Sequence, residues 1–310
     1  MKIVFFGSPA AALPSLEQLL RAGHTIELVI TQPDKPAGRG KTSTAPPVKE
    51  FALGRGIPVL QPARIRQDEK TLAELRAIQP DLNVVVAYGQ IIPGPMIYLP
   101  RFKSVNAHFS LLPKYRGAAP VQWAVLNGER KTGVTIFELN EKMDEGDILA
   151  AMETEILPGE TARELEGRLA LLGAELLVRT VIRIDRVERR VQDHSRATYA
   201  PRLKREDGEV DWRQDSLFIE RKVRAFSPWP GAFTFHKGQR IIIHAGEALA
   251  DAESFLHPGQ ISDIRAAGPV VCCGNGSAYL IRRLQRENKK EMDAPSFLRG
   301  TRWERGESLG

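Results

Sequence analysis

Residues 2–31 read KIVFFGSPAAALPSLEQLLRAGHTIELVIT. Lys2–Gly7 is a continuous apolar run, the pattern of a strand buried on both faces. SLEQLLRAG then spaces its apolar residues as a helix does and stops at Gly23, a natural helix end. IELVIT resumes the strand pattern. Strand, helix, strand in this order is a βαβ unit, which makes the two strands neighbours in a parallel sheet.

The alternation continues down the chain. VKEFALGRG and TLAELRAIQ read as helices; IPVLQP, DLNVVVAYG, SVNAHFS and TGVTIFELN read as strands. AAPVQWAVLNG is a helix between the last two strands. The expectation is an α/β fold built on a doubly wound, Rossmann-like, mostly parallel sheet. Ligands of such sheets sit beyond the carboxyl ends of the strands. The long amphipathic helix ARELEGRLALLGAELLVRTVIRI follows. RVERRVQDHSRATYAPRLKREDG has no clear period and reads as a linker. Beyond it come the helix SLFIERKVRAF and the pieces FTFHKG, RIIIHAGEA, GQISDI, PVVCCG and AYLIRRLQR. Short strands parted by glycine turns suggest a small β-barrel. The domain expectation is therefore 1–200, with the linker starting at about 185, and 201–310.

Composition narrows the function classes. With 310 residues, 42% hydrophobic and 26% charged, the chain can bury a large core. No apolar run approaches the ~20 residues that span a bilayer, so no membrane partner is expected. The start, MKIVFFGSP, lacks the long apolar stretch of a secretory signal, which points to the cytoplasm. The two cysteines, Cys272 and Cys273, are adjacent, and no C-x-x-C occurs, so neither a zinc site nor a disulfide is expected. They read as small apolar strand residues. The net charge of +6 suits a polyanionic partner without requiring one. The Gly7-Ser8-Pro9 turn is not a dinucleotide fingerprint, although a small anion or part of a substrate would suit it.

Residues 104–120, SVNAHFSLLPKYRGAAP, carry the chemistry. Asn106 and His108 are two apart on a strand and so share a face. Each needs hydrogen-bond partners if buried, and the plain alternative is a satisfied polar pair in the core. Their place at a strand's carboxyl end, before a proline-stiffened loop, favours a site. An amide and an imidazole together can hold an oxygen that gains charge, and imidazole also moves protons near neutral pH. A carboxylate to set that proton comes from MDEGDIL, as Asp144, Glu145 or Asp147; spacing alone leaves the choice open. Ser110 lies close, but nothing like G-x-S-x-G surrounds it. The residues thus indicate attack on a carbonyl and do not name the substrate.

At these residues the sequence closely resembles the 10-formyltetrahydrofolate-dependent formyltransferases. The matching strings are VVAYGQIIP, NAHFSLLPKYRGAAPVQWAVLNGE, TGVTIFELNEKMDEGDIL and the helix after ETARELEGRL. TQPDKPAGRG, AFSPWPGAF and LQRENKKEMDAPSFLRG resemble the branch that acts on charged initiator tRNA. The resemblance spans nearly the whole chain. It implies formyl transfer from 10-formyltetrahydrofolate to the α-amino group of methionyl-initiator tRNA, with no metal. It implies Asn106, His108 and Asp144 as the catalytic trio. It also implies Ser110, Leu111, Leu112 and Pro113, with Tyr88, Gly89 and Ile91, as the folate site. For the tRNA it implies Lys35, Arg39 and Lys41 in a long polar loop before VKEF. The second domain becomes an OB-like, tRNA-binding barrel, where Arg282, Lys289 and Lys290 are candidates for phosphate contacts. A monomer is expected. Two other readings fit less well: a folate-dependent enzyme acting on an amino-sugar nucleotide, and a non-catalytic RNA-binding protein.

Overall fold

The computed structural model describes residues 1–37, 42–250 and 257–310. Seven strands form the first sheet in the spatial order Ile148–Glu155, Lys131–Glu138, Ser104–His108, Leu82–Val86, Lys2–Gly7, Thr25–Ile30, Val59–Leu60. The last five pair in parallel, as the βαβ pattern requires. Lys131–Glu138 joins antiparallel to Ser104–His108, and Ile148–Glu155 joins antiparallel to that. Ile3, Val4, Phe5 and Phe6 are wholly buried at the centre. Each such side chain contributes roughly 1.5–3 kcal/mol on leaving water. Leu16 and Leu19, three apart on the helix Leu13–Arg21, are buried too, which is the one-faced pattern of an amphipathic helix.

The sequence reading has no strand at Ile148–Glu155. This edge strand is mostly half-exposed, and of its eight residues only Leu149 is buried. Within the polar loop, Lys35–Ala37 pairs antiparallel with Thr42–Thr44, two short strands that the sequence reading does not have. Arg39 and Lys41 lie outside the described residues.

The chain divides into two compact units. The first holds Met1–Pro120, Lys131–Glu155 and Glu166–Pro201; the second holds Val121–Arg130, Ile156–Leu165 and Arg202–Gly310. Within the second, an antiparallel sheet runs Ala232–His236, Gln239–Leu249, Ala278–Arg286, Gly268–Cys272, Ile261–Arg265. Trp212, Ile219, Ile243, Tyr279 and Phe297 belong to its core. Cys272 and Cys273 are buried free thiols, and burial pushes the Cys273 thiol far above its ordinary range. Residues 306–310 touch both edge strands of this sheet. Gly306 N donates to the Ile261 carbonyl and Ile261 N to that of Glu307, both at 2.8 Å. Gly310 N donates to the Phe235 carbonyl at 2.8 Å.

Glu307 pins this segment through its side chain, with Lys237 Nζ at 2.6 Å and His236 Nε2 at 3.0 Å. The Lys237 hydrogen bond, helped by His236, holds the Glu307 carboxyl down at about 2 against an ordinary value of 4.5. A carboxyl depressed in the folded state stabilises above its unfolded value, and the contribution is lost as pH falls through the folded one. The melting temperature of the wild type should therefore exceed that of Glu307→Gln at neutral pH. The difference should shrink between pH 4.5 and about 2. Parallel melting curves against pH check this; a difference that is constant across that window refutes it.

Candidate active site

Asn106 and His108 project from one face of Ser104–His108. Asn106 lies opposite Val85 on one neighbouring strand and Phe137 on the other, and His108 lies opposite Thr135. Asn106 is partly exposed, and its amide has no hydrogen-bond partner among the described residues. It is a donor without a commitment. His108 is buried, with its ring edge-on to Phe137 at a centroid distance of 6.4 Å. Its Nε2 lies 2.8 Å from the Tyr115 carbonyl. A carbonyl only accepts, so Nε2 carries a proton. That leaves Nδ1 facing Asp144 Oδ2 at 3.7 Å, longer than a hydrogen bond.

The structure separates the three carboxylates that spacing left open. Asp144 turns to His108, and its Oδ2 accepts from Gly117 N at 2.7 Å. Glu145 faces Arg116 Nη1 at 3.3 Å and Lys142 Nζ at 3.7 Å. Asp147 serves through its backbone, accepting from Glu138 N at 2.9 Å. Asp144 also has φ +52°, a left-handed conformation uncommon for a residue with a side chain. Such strain costs about 1–3 kcal/mol and persists only where the surroundings hold it. Those surroundings leave no slack. Gly117, at φ +122°, has the Ala200 carbonyl where a Cβ would come within 2.5 Å. A Cβ on Gly146 would come within 1.7 Å of the Glu138 carbonyl oxygen.

The loop after His108 is held from the neighbouring strand. Buried Thr135 donates through Oγ1 to the Ser110 carbonyl at 2.7 Å and accepts from Leu112 N at 3.0 Å. Ser110 Oγ donates to the Lys114 carbonyl at 2.6 Å, so its hydroxyl serves the turn. Leu112 is buried, while Leu111 and Pro113 are half-buried. On the adjacent strand's exit, Tyr88 packs its ring against Phe6, and its carbonyl accepts from Gln32 Nε2 at 2.9 Å. Burial drives the Tyr88 phenol well above its ordinary range. Gly89 has φ +80°, and Ile91 is 52% exposed. The open aliphatic surface of Ile91 and the partly open Leu111 and Pro113 suit a flat apolar group.

Two residues that the sequence reading passed over complete the site. Arg116 is almost wholly buried. Gln192, in the segment read as linker, is buried beside it and reaches the backbone of Asp144. Neither carries a local signal, because their partners lie far along the chain.

The basic residues are more committed than their spacing suggests. Arg282 pairs with Glu247, and Arg283 pairs with Glu291 at 2.6 Å. Arg286 donates to the Gly300 carbonyl at 3.1 Å. Lys289 and Lys290 are exposed and without an ion pair among the described residues. Lys35 Nζ lies 2.5 Å from Gln32 Oε1. Among the described residues, no group of His, Cys, Asp and Glu is arranged to hold a metal ion, and no helix is long and apolar enough to cross a membrane.

Comparison with known proteins adds the following. The formyl transferase family profile matches residues 1–181, and the formyl transferase C-terminal domain profile matches residues 202–302. A methionyl-tRNA formyltransferase of Acidobacterium capsulatum is 48% identical over 97% of this chain and 96% of its own. A methionyl-tRNA formyltransferase of Koribacter versatilis is 45% identical over 100% and 99%. Among solved structures, an N-formyltransferase from Helicobacter canadensis, with folinic acid and dTDP-3-aminofucose, superposes with a TM-score of 0.67 at 20% identity. That match covers 92% of this chain and 99% of the other. HypX from Aquifex aeolicus superposes with a TM-score of 0.63 at 19% identity, over 100% of this chain. This chain spans about half (51%) of that protein.

Proposed function

The chain belongs to the formyl transferase family, and from that premise we propose that it moves the formyl group of 10-formyltetrahydrofolate onto the α-amino group of methionyl-initiator tRNA. The relatives that match this chain end to end, at 41–48% identity, carry that activity in their name. Both family profiles are present in the order such an enzyme needs. The observation that carries the chemistry is the juxtaposition of an Asn106 amide, without a partner among the described residues, with a His108 ring set against Asp144 at 3.7 Å.

The folate supplies an activated formyl carbon when bound, so no metal has to polarise the carbonyl. The residues of the chain do the rest. Asn106 donates from its side-chain amide to the formyl oxygen as that oxygen gains charge. His108 anchors its ring through Nε2 on the Tyr115 carbonyl. The ring so fixed holds Nδ1 3.7 Å from Asp144 Oδ2, beyond hydrogen-bond length, which leaves Nδ1 uncommitted and able to serve the same oxygen. As the amine bonds to the formyl carbon and the carbon–N10 bond of the folate breaks, Asp144 takes the proton that the amine gives up, directly or through water, and N10 leaves as the secondary amine carrying that proton.

Ser110, Leu111, Leu112 and Pro113, with Tyr88, Gly89 and Ile91, form the folate site. Its backbone is kept rigid by Thr135. Residues 1–200, with the linker from about 185, are the catalytic domain, and 201–310 are the OB-like tRNA-binding domain. Lys35, Arg39, Lys41, Arg282, Lys289 and Lys290 meet the tRNA. Of these, Lys289 and Lys290 are the described cations of the second unit that are ready for a phosphate without first breaking an ion pair. The enzyme works as a monomer in the cytoplasm.

The test is to incubate the purified protein with 10-formyltetrahydrofolate and methionyl-initiator tRNA and to measure formylmethionyl-tRNA. Turnover supports the reading. Folate binding with formylation of an amino-sugar nucleotide, and none of the tRNA, moves the acceptor to the sugar class. Salt-sensitive tRNA binding with no product on either acceptor leaves an RNA-binding protein.

A further inference from the structure

Arg116 is among the largest fully buried side chains of the protein, at 1% exposure. A guanidinium in that position needs every donor satisfied. Its Nη1 faces Glu145 at 3.3 Å. Its Nε and Nη2 donate to Gln192 Oε1 at 3.2 and 2.7 Å, and Nη2 also reaches His194 Nδ1 at 3.0 Å. Gln192 spends its other end on the catalytic loop, donating from Nε2 to the Asp144 carbonyl at 2.8 Å and the Gly146 carbonyl at 2.7 Å. Oxygen meets only donors here and nitrogen only acceptors, so the amide has one orientation. It acts as a strut between a buried cation and the two carbonyls on either side of Glu145.

The same stretch of chain grips Asp144 twice. Gly117 N holds the carboxylate itself. Arg116, the residue before it, holds the Asp144 backbone through Gln192. What is being gripped is a left-handed aspartate at φ +52°, which has no reason to stay there unaided.

We propose that Gln192, oriented by Arg116, is a positioning residue that sets the Asp144 carboxylate against His108 and so governs proton handling in formyl transfer. The proposal rests on the reading of Asp144 given above. It assigns a catalytic-loop function to a segment whose sequence reads as linker. Groups that orient catalytic side chains from behind typically change activity by about 10- to 100-fold when removed.

The experiment is a double-mutant cycle. Gln192→Met keeps the length and removes the polar end. Gln192→Glu keeps an acceptor for Arg116 and loses the two donors to the loop. Each is made alone and with Asp144→Asn; kcat, the KM for 10-formyltetrahydrofolate and the melting temperature are measured. Either Gln192 variant should lower kcat about 10- to 100-fold in the wild-type background, leaving that KM within about twofold. In the Asp144→Asn background the further loss should be under about twofold, because the strut acts through a carboxylate that is no longer there. If Gln192→Met does not fold, Gln192→Glu carries the test, since Arg116 keeps its partner. Losses of equal size in both backgrounds, or a kcat equal to wild type, overturn the proposal and leave Gln192 a packing residue. Asp144→Asn with wild-type turnover overturns the reading beneath it, a result obtained without touching Gln192.

Discussion

Asp144→Asn lowers turnover in formyl transfer by about 100- to 1,000-fold while the KM for 10-formyltetrahydrofolate stays within about twofold. The substitution exchanges an oxygen for a nitrogen and little else. Asparagine tolerates the left-handed backbone better than nearly any other side chain, so φ +52° survives. Its Oδ1 still accepts from Gly117 N, the bond now made at 2.7 Å. The charge opposite His108 is lost, and with it the group proposed to take the amine's proton. The folate walls are left untouched. Single-turnover and steady-state assays with the tRNA acceptor measure this directly. A variant with near wild-type kcat removes Asp144 from the mechanism. A melting temperature lowered by more than roughly 8 °C reassigns the carboxylate to stability.

Gly146→Ala has the second large effect, for a purely steric reason. The new Cβ falls 1.7 Å from the Glu138 carbonyl oxygen. Both positions are backbone-fixed, so no rotamer relieves the clash, and the 139–147 segment must lift from its strand. Lifting it breaks the Gln192 bond to the Gly146 carbonyl and carries Asp144 away from His108. Overpacking of this kind costs about 1–3 kcal/mol, or roughly 2–10 °C in melting temperature for a chain of this size. A displacement near 1 Å at a reacting group costs about 100-fold in rate. The expected outcome is a folded, less stable protein with kcat about 100-fold down. Unchanged kcat would mean that the loop absorbs the methyl without moving Asp144.

The parallel part of the first sheet was legible because its strands are buried on both faces and their helices show one apolar face. Residues 3–6 and 84–86 announce themselves as unbroken apolar runs. Ile148–Glu155 does not. It is an edge strand with one buried residue, and it follows a turn-like run of acids, so neither periodicity nor apolar length marks it. Asn106 and His108 were visible as a pair because a strand's two-residue repeat converts spacing directly into a shared face. Asp144 was visible only as one of three carboxylates, because a loop has no repeat that fixes direction. The resemblance to known formyltransferases singled it out; in the fold Asp144 is the carboxylate that faces His108, while Glu145 faces Arg116. Arg116 and Gln192 escaped because their meaning lies in each other. A lone arginine before a glycine and a glutamine in a charged stretch look solvated until the fold brings them together. The basic cluster at 282–290 shows the converse. Its charges are plain in sequence, while which glutamate answers which arginine, Glu247 for Arg282 and Glu291 for Arg283, is set by strand pairing.

The strut has a consequence for what partial opening takes away. Arg116 and Gln192 are 76 positions apart, and Gln192 and Asp144 are 48 apart. The sheet closes stretches of the same order, pairing Ile3 with Leu82, and it uses neither of these bonds. A chain whose residues 186–200 have opened is therefore native by its sheet and silent as a catalyst, because the carboxylate has lost its alignment while the strands keep theirs.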